Sequence, residues 1–169
     1  MKKRLAMMIF LYAAMTAAAL CGAEEVAFQF DEREWGLGYS DENKFEGIQE
    51  YVLLGETVRH WTELVTIQAF FGLQEKTTPA KYMEGMLARL KEVCPHAMVR
   101  SVRQGENDAM LEWEIKDCPG NENQYEIDRI MAGKKAIWFL HYATKKVPVP
   151  PERREKWMKL LNEAVLENP

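Results

Sequence analysis

The sequence is poor in the residues and motifs on which most enzymes and cofactor-binding proteins depend. It contains three histidines and three cysteines in 169 residues. No glycine-rich phosphate loop follows a predicted strand, no His-x-x-x-His pair occurs, and no calcium-loop pattern is present. Ser40 and Ser101 stand outside any motif that would supply a nucleophile with an oxyanion site. The sequence therefore predicts no cofactor, no metal centre and no catalytic residue.

An excess of basic residues is also missing. The chain has 22 Lys and Arg against 26 Asp and Glu, for a formal net charge of −4. Nucleic-acid binding needs a basic surface to neutralise phosphates, so this balance argues against a nucleic-acid partner.

The N-terminus has the features of a secretory signal peptide. Basic residues at positions 2–4 precede an apolar run to Leu20, and small residues follow. We expect residues 1–23 to be removed after Ala23, which takes three positive charges from −4 and leaves −7. A lipid on Cys21 is the alternative, and Leu20 disfavours it. The protein is thus expected to be periplasmic or secreted, with no transmembrane anchor after cleavage.

The middle of the chain predicts a helix followed by a β-hairpin. Thr78 suits the N-cap and Pro79 the first helical position, while Pro95 disfavours helical geometry at Cys94. Between them, apolar residues recur at helical spacing: Tyr82, Met83, Met86, Leu87, Leu90 and Val93. Alternating runs at 98–103 and 110–116 then predict two strands around a turn.

The hairpin register follows from the position of that turn. If Gly105 faces Asp108, then Val102 lies opposite Leu111 and Arg100 opposite Trp113, where the guanidinium can cover the indole. The same pairing sets Met98 opposite Ile115.

A disulfide is expected between Cys94 and Cys118. The hairpin register brings the two residues together, and an exported chain left with two cysteines typically joins them. The chain-entropy estimate predicts about 3–4 kcal/mol of stabilisation. A metal held by the two thiols is the alternative, and the lack of an accompanying histidine set disfavours it.

The remaining segments complete an α+β fold. Strands are predicted at 35–39, 45–54 and 64–71, and a second hairpin pairs 125–132 with 135–142 around Gly133-Lys134. A final helix carries an apolar stripe that includes Trp157 and Leu161. Helices are too few for alternating βαβ units. Residues 24–169 are therefore expected to form one α+β domain, a twisted antiparallel sheet of about six or seven strands with two helices packed on it.

Short stretches of the chain resemble small exported bacterial proteins of unknown function. The resemblance lies at Gly55-Glu56, at residues 61–66 and at 125–127. The layout is also similar to the PsbP/Mog1-like α+β sandwich, a fold used mostly by binding and assembly proteins. This resemblance implies interaction rather than catalysis, and it brings no catalytic residues with it.

Two histidines have a predicted carboxylate neighbour. A short helix would bring Glu63 near His60, and the second hairpin, with Ala132 paired to Lys135, sets His141 opposite Glu126. A His–carboxylate pair is the skeleton of a general base, so a small hydrolase-like enzyme is an alternative function. A surface ion pair is the favoured interpretation of His141 and Glu126.

The segment from Glu56 to Glu63 is the candidate binding site, because loops carry function more often than cores. Its polar and aromatic residues are Glu56, Thr57, Arg59, His60, Trp61 and Glu63. In the competing interpretation Trp61 closes the core and the others are solvated. The favoured function is a non-enzymatic exported protein that binds another envelope or extracellular protein through this loop or an exposed sheet edge. An apolar-ligand carrier would need a cavity between helices and sheet.

Overall fold

The computed structural model describes residues 24–167. The predicted signal peptide, with Cys21 and the cleavage site after Ala23, lies outside these residues. The described chain contains two α-helices, a seven-stranded antiparallel sheet and a separate two-stranded sheet. The predicted α+β class and the size of the large sheet are confirmed.

The elements follow one another in the order strands, helix, strands, helix, strand. The helices are α1 (Pro79–Val93) and α2 (Pro151–Glu163), and a short 3₁₀ turn covers Leu73–Glu75. The strands are β1 (Glu25–Ala27), β2 (Trp35–Glu42), β3 (Glu46–Leu53), β4 (Glu63–Phe71), β5 (Met98–Gln104), β6 (Asp108–Ile115), β7 (Gln124–Ala132), β8 (Ala136–Thr144) and β9 (Val165–Glu167). In the large sheet the spatial order is β2-β3-β4-β8-β7-β6-β5, while β1 pairs with β9.

Helix α1 covers one face of the sheet. The Thr78 hydroxyl accepts from the backbone N–H of Lys81 at 3.4 Å, and Pro79 occupies the first helical position, where its missing N–H costs nothing. Met83 is fully buried against side chains of β6, β7 and β8. The apolar stripe of α1 thus closes one of the two layers of the core.

Helix α2 covers the opposite face. Trp157 is fully buried and stacks on Tyr142, with ring centroids 4.1 Å apart and planes 8° from parallel. At the C-terminus of α2, the Arg129 guanidinium donates to the carbonyls of Leu161 and Ala164 at 2.7 and 2.6 Å. These bonds add donors to carbonyls at the end of the helix and place a positive charge at the negative end of its dipole.

The predicted register of the first hairpin is correct only next to its turn. Gln104 pairs with Ala109 and Arg103 with Met110, as expected, but the register then shifts at Val102. Beyond this β-bulge Arg100 lies opposite Glu112 rather than Trp113, and Met98 opposite Glu114. Arg100 donates to the Glu112 carboxylate at 2.9 Å. An ion pair therefore replaces the predicted contact with the indole.

The turn of the second hairpin lies one residue later than predicted, which shifts the pairing of its strands by two residues. Gly133 N–H bonds to the Ala136 carbonyl, so Lys134 and Lys135 form the turn and Ala132 pairs with Ile137. An even shift keeps each side chain on its face but changes its partner. The Glu24 carboxylate accepts from Lys134 N–H at 3.0 Å and would collide with a side chain on Gly133. A side chain at position 133 would therefore displace the Glu24 carboxylate.

The disulfide between Cys94 and Cys118 is confirmed, with the two Cα atoms 5.8 Å apart. It joins the residue after α1 to the turn that follows β6, and both cysteines are buried beside Ile115. The Asn121 N–H bonds to the Cys118 carbonyl at 3.0 Å and Gly120 has a φ of 77°, as a type II turn requires.

Candidate functional site

Residues 55–62 form a tight turn rather than a short helix. Thr57 and His60 exchange two backbone hydrogen bonds of 3.3 and 2.9 Å. The Glu56 carboxylate closes the turn by accepting from the backbone N–H and the hydroxyl of Thr62 at 2.9 and 2.5 Å. Thr57, Arg59 and His60 are exposed. The sequence-predicted loop is therefore an ordered element that presents three polar side chains to solvent.

Two apolar side chains anchor this turn to the sheet. Val58 and Trp61 pack on a cluster formed by Val52, Leu64 and Ala143. The Lys145 ammonium lies 4.6 Å from the centre of the Trp61 ring, at cation–π distance. Trp61 thus closes the end of the core, as the competing interpretation of this residue expected.

Glu63 belongs to a different part of the molecule. Its buried carboxylate accepts two bonds of 2.7 Å from Arg33, one of 2.5 Å from the Tyr142 hydroxyl, and one from Arg153 of α2. Burial alone would raise the pKa of Glu63, but the arginines and Tyr142 lower it overall. Glu63 is engaged with these donors rather than with His60, so the predicted His60–Glu63 base is not assembled.

The exposed edge strand β2 lies beside the 55–62 turn. A Cβ atom on Gly38 would come within 3.0 Å of Val58 Cγ1, which shows how closely the turn approaches this strand. Half of the large apolar side chains exposed on the described chain lie on the β2–β3 hairpin or at its ends: Leu37, Tyr39, Phe45 and Leu54. Sequence patterns located both strands but gave no sign that β2 would form an edge.

A buried polar cluster lies on the sheet face that carries α1. His141 Nδ1 is 3.3 Å from Glu126 Oε2 and 3.6 Å from Asp128 Oδ1. Exposed fractions of the three side chains are 16%, 9% and 0%, so the predicted surface ion pair is in fact buried. Asp128, rather than Glu126, pairs directly with His141, because the strand pairing is shifted by two residues from the expected register.

Neighbouring side chains orient the two carboxylates. Trp113 Nε1 donates to Asp128 Oδ2 at 2.8 Å, and the Gln124 amide donates to Glu126 Oε1. Each carboxylate therefore has one oxygen fixed by an outside donor and the other directed towards His141. Thr66 lies directly opposite His141 on β4 and is buried, and its hydroxyl makes no hydrogen bond.

The proximity of these groups changes their pKa values. Burial raises the pKa of Glu126 to about 7, against the opposing effect of His141. Burial would lower the pKa of His141, but the charges of Glu126 and Asp128 outweigh it and raise the value to about 10.

Two further features of the described chain are the surroundings of His96 and a surface cavity. His96 Nε2 lies 3.7 Å from Cys118 Sγ and 3.1 Å from the Lys116 carbonyl, but both sulfurs are committed to the disulfide. A cavity of about 400 Å³ lies beside the β2–β3 and β7–β8 turns and is lined by charged residues such as Glu24 and Lys135 together with Phe71 and Trp138. An apolar carrier would instead need a cavity between helices and sheet.

Comparison with known proteins identifies no relative: no family model, no curated protein and no solved structure matches the chain. The likeness to the PsbP/Mog1-like layout therefore stays a prediction. Within residues 24–167, no helix has the length and apolar character needed to cross a bilayer.

Proposed function

We propose that the protein is exported and binds another envelope or extracellular protein through the exposed edge of its sheet. The binding surface consists of Leu37 and Tyr39 on β2, Phe45 and Leu54 at the ends of the neighbouring strand, and Arg59 and His60 of the adjoining turn; we call it the β2 surface. The observation that carries the proposal is the concentration of exposed apolar side chains along this one edge. Exposed apolar side chains along an edge strand provide contacts for an added strand of a partner.

The edge geometry favours an extended segment as the bound element. An edge strand presents backbone N–H and C=O groups that pair with an added strand, while alternate side chains provide specificity. Leu37 and Tyr39 pair with Tyr51 and Glu50, so they point to opposite faces of the sheet. The exposed Asp41 and Glu42 end the strand. We therefore expect a partner segment that has an apolar side chain on each face of the added strand and is basic where it passes these two carboxylates.

The opposite edge is less suited to this role. On β5, Arg100 and Arg103 lie in the strand itself and form ion pairs with Glu112 and Asp108. Charged side chains along an edge oppose strand addition. On β2, charge is confined to the last two residues.

Two features support export. The N-terminal sequence has the basic, apolar and small-residue order of a signal peptide. The buried disulfide supports an oxidising compartment, because disulfides persist there and are rare in reducing ones.

Capture from the native envelope extract tests the proposal. Wild-type protein, the double variant Leu37→Glu with Tyr39→Glu, and the control Met98→Glu with Val102→Glu are compared at equal loading. The control changes two apolar side chains on the other edge strand with similar exposure, 62% and 46% against 55% and 44%. We expect one extracellular or envelope protein at near-equal amounts with wild type and control, and its loss with the β2 variant.

If all three proteins retain the same partner equally, or if none retains a partner, the β2 surface is not the binding site. A second pair of substitutions, Arg59→Ala with His60→Ala, examines the turn separately. Glu63 is left unchanged because its loss would disturb the buried network rather than the surface.

A further inference from the structure

We propose that Glu126, Asp128 and His141 form a binding site for a divalent first-row transition-metal ion of the zinc class. One ligand atom from each residue lies within 4.8 Å of the others. The three residues come from β7 and β8, two paired strands near the middle of the sheet. This site is separate from the β2 surface, so the two proposals stand or fall independently.

The two distances from the His141 nitrogen to the carboxylate oxygens match a tetrahedral ion. Zinc binds histidine nitrogen and carboxylate oxygen at about 2.0–2.2 Å, which places neighbouring ligand atoms roughly 3.3–3.6 Å apart. His141 Nδ1 lies 3.3 Å from Glu126 Oε2 and 3.6 Å from Asp128 Oδ1. Charge-assisted hydrogen bonds between nitrogen and a carboxylate are shorter, about 2.7–2.9 Å. The spacing thus fits a shared ion better than direct proton-mediated pairing.

The groups around the ligands fit the same interpretation. Metal-binding carboxylates are commonly held in place by outer hydrogen bonds, as Trp113 and Gln124 hold Asp128 and Glu126 here. In each carboxylate, the oxygen that does not accept this outer hydrogen bond faces the imidazole.

Two buried oxygen atoms at this site lack a hydrogen bond. Asp128 is fully buried, yet its Oδ1 atom has no hydrogen-bond partner. Thr66 is also buried, lies across from His141 on the next strand, and has an unpartnered hydroxyl. An unsatisfied buried polar atom costs about 1–3 kcal/mol. A bound cation would satisfy the carboxylate oxygen, and a water on that cation would offer a donor to the hydroxyl.

The donor set selects the class of ion. Ca²⁺ and Mg²⁺ prefer oxygen-only sites, whereas imidazole with carboxylates suits zinc and its first-row neighbours. Three protein ligands leave one coordination position open, the arrangement found in sites that accept water or a further ligand. The 16% exposure of the His141 side chain provides an entry route.

Calorimetric titration of the purified, metal-stripped full chain with Zn²⁺ tests the inference, with the disulfide intact. We expect one ion per chain and a Kd below about 10 μM. At about 100 times Kd, the thermal midpoint should rise by about 5–10 °C. Because outer-shell partners alone change affinity about 10–100-fold, Asp128→Asn and His141→Asn should weaken binding by at least about 100-fold.

Asp128→Asn keeps an oxygen that accepts from Trp113, so its fold should persist, which circular dichroism verifies. The matched control is His96→Asn, since His96 lies in the one other cluster on the described residues with metal-binding side chains. It should bind Zn²⁺ like wild type. No stoichiometric binding by wild type, or unchanged binding by Asp128→Asn and His141→Asn, would overturn the assignment.

X-ray absorption of the Zn²⁺-loaded wild type provides a readout that needs no variant. We expect nitrogen and oxygen ligands only. Sulfur in the first shell would place the ion at Cys94 and Cys118 and contradict the inference.

Discussion

Replacing Glu63 by glutamine tests how α2 is held on the sheet. Glutamine keeps the shape of the side chain but removes the charge that neutralises Arg33 and Arg153. Breaking a buried ion pair from one side costs about 3–5 kcal/mol. Here the two arginine side chains are 28% and 30% exposed and Arg33 keeps its second carboxylate, Asp31. Solvent screening then reduces the expected loss in the free energy of unfolding to about 2–3 kcal/mol.

The same substitution predicts a change in acid sensitivity. The arginines and Tyr142 hold the folded-state pKa of Glu63 below the ordinary 4.5. A lowered carboxyl pKa stabilises the fold above the unfolded-state value, and this contribution is lost as the pH falls through the folded-state value. Wild type should therefore lose stability below about pH 4.5, and Glu63→Gln should lose less over the same interval.

Urea denaturation at pH 7 and at a series of acidic pH values measures both effects. The control is Glu122→Gln, which removes an exposed carboxylate paired with Lys145 and should cost less than about 1 kcal/mol. The reasoning is refuted if Glu63→Gln is as stable as wild type at pH 7, or if its stability falls as steeply with acid.

Three further changes have expected outcomes in urea denaturation. Joint replacement of Cys94 and Cys118 by serine should lower the free energy of unfolding by about 3–4 kcal/mol, since the bridge spans 24 positions; a loss below about 1 would refute this. Trp157→Ala should cost about 3–5 kcal/mol because the ring is fully buried, and a cost below about 1 would make α2 peripheral. Gly38→Ala should cost about 1–3 kcal/mol because the added methyl group meets the 55–62 turn at 3.0 Å. The control Gly36→Ala, where the methyl group would have nothing within 4 Å, should be neutral or slightly stabilising. Equal effects of the two substitutions would contradict the close approach of the turn to β2.

Local patterns were sufficient to predict both helices and the seven strands of the large sheet. Thr78 and Pro79 mark the start of α1, and alternating or continuous apolar runs mark these strands, whereas β9 was not predicted. The disulfide was also predictable, because few cysteines remain after the expected signal cleavage and the hairpin brings them together.

The register of the strands and the partners of individual side chains were harder to predict from the sequence. A bulge at Val102 moved Arg100 from Trp113 to Glu112, and no local pattern marks that extra residue. The Gly133-Lys134 pair resembled a two-residue turn, but the turn is formed by Lys134 and Lys135, and Gly133 lies against the Glu24 carboxylate. Contacts between residues far apart in sequence, such as β1 with β9, depend on tertiary packing.

The candidate sites show the same division. The pairing of His141 with a carboxylate was predicted from an approximate register, since a shift of two residues keeps side chains on the same face. No local pattern indicated that the cluster is buried or that Thr66 lies opposite His141, because the two residues are 75 positions apart. Glu63 was assigned to the loop because its partners, Arg33 and Arg153, lie 30 and 90 positions away and no local pattern connects them to it.

Binding through the β2 surface is tested most directly by site-specific photo-cross-linking in cells that make the protein natively. A photoreactive aromatic residue replaces Tyr39 on β2 in one experiment and Val102 on β5 in the other, positions with 44% and 46% exposure. If the partner binds the β2 surface, we expect one cross-linked envelope or extracellular protein from position 39 and none from position 102. The same product from both positions, or a product from position 102 alone, would contradict binding through the β2 surface.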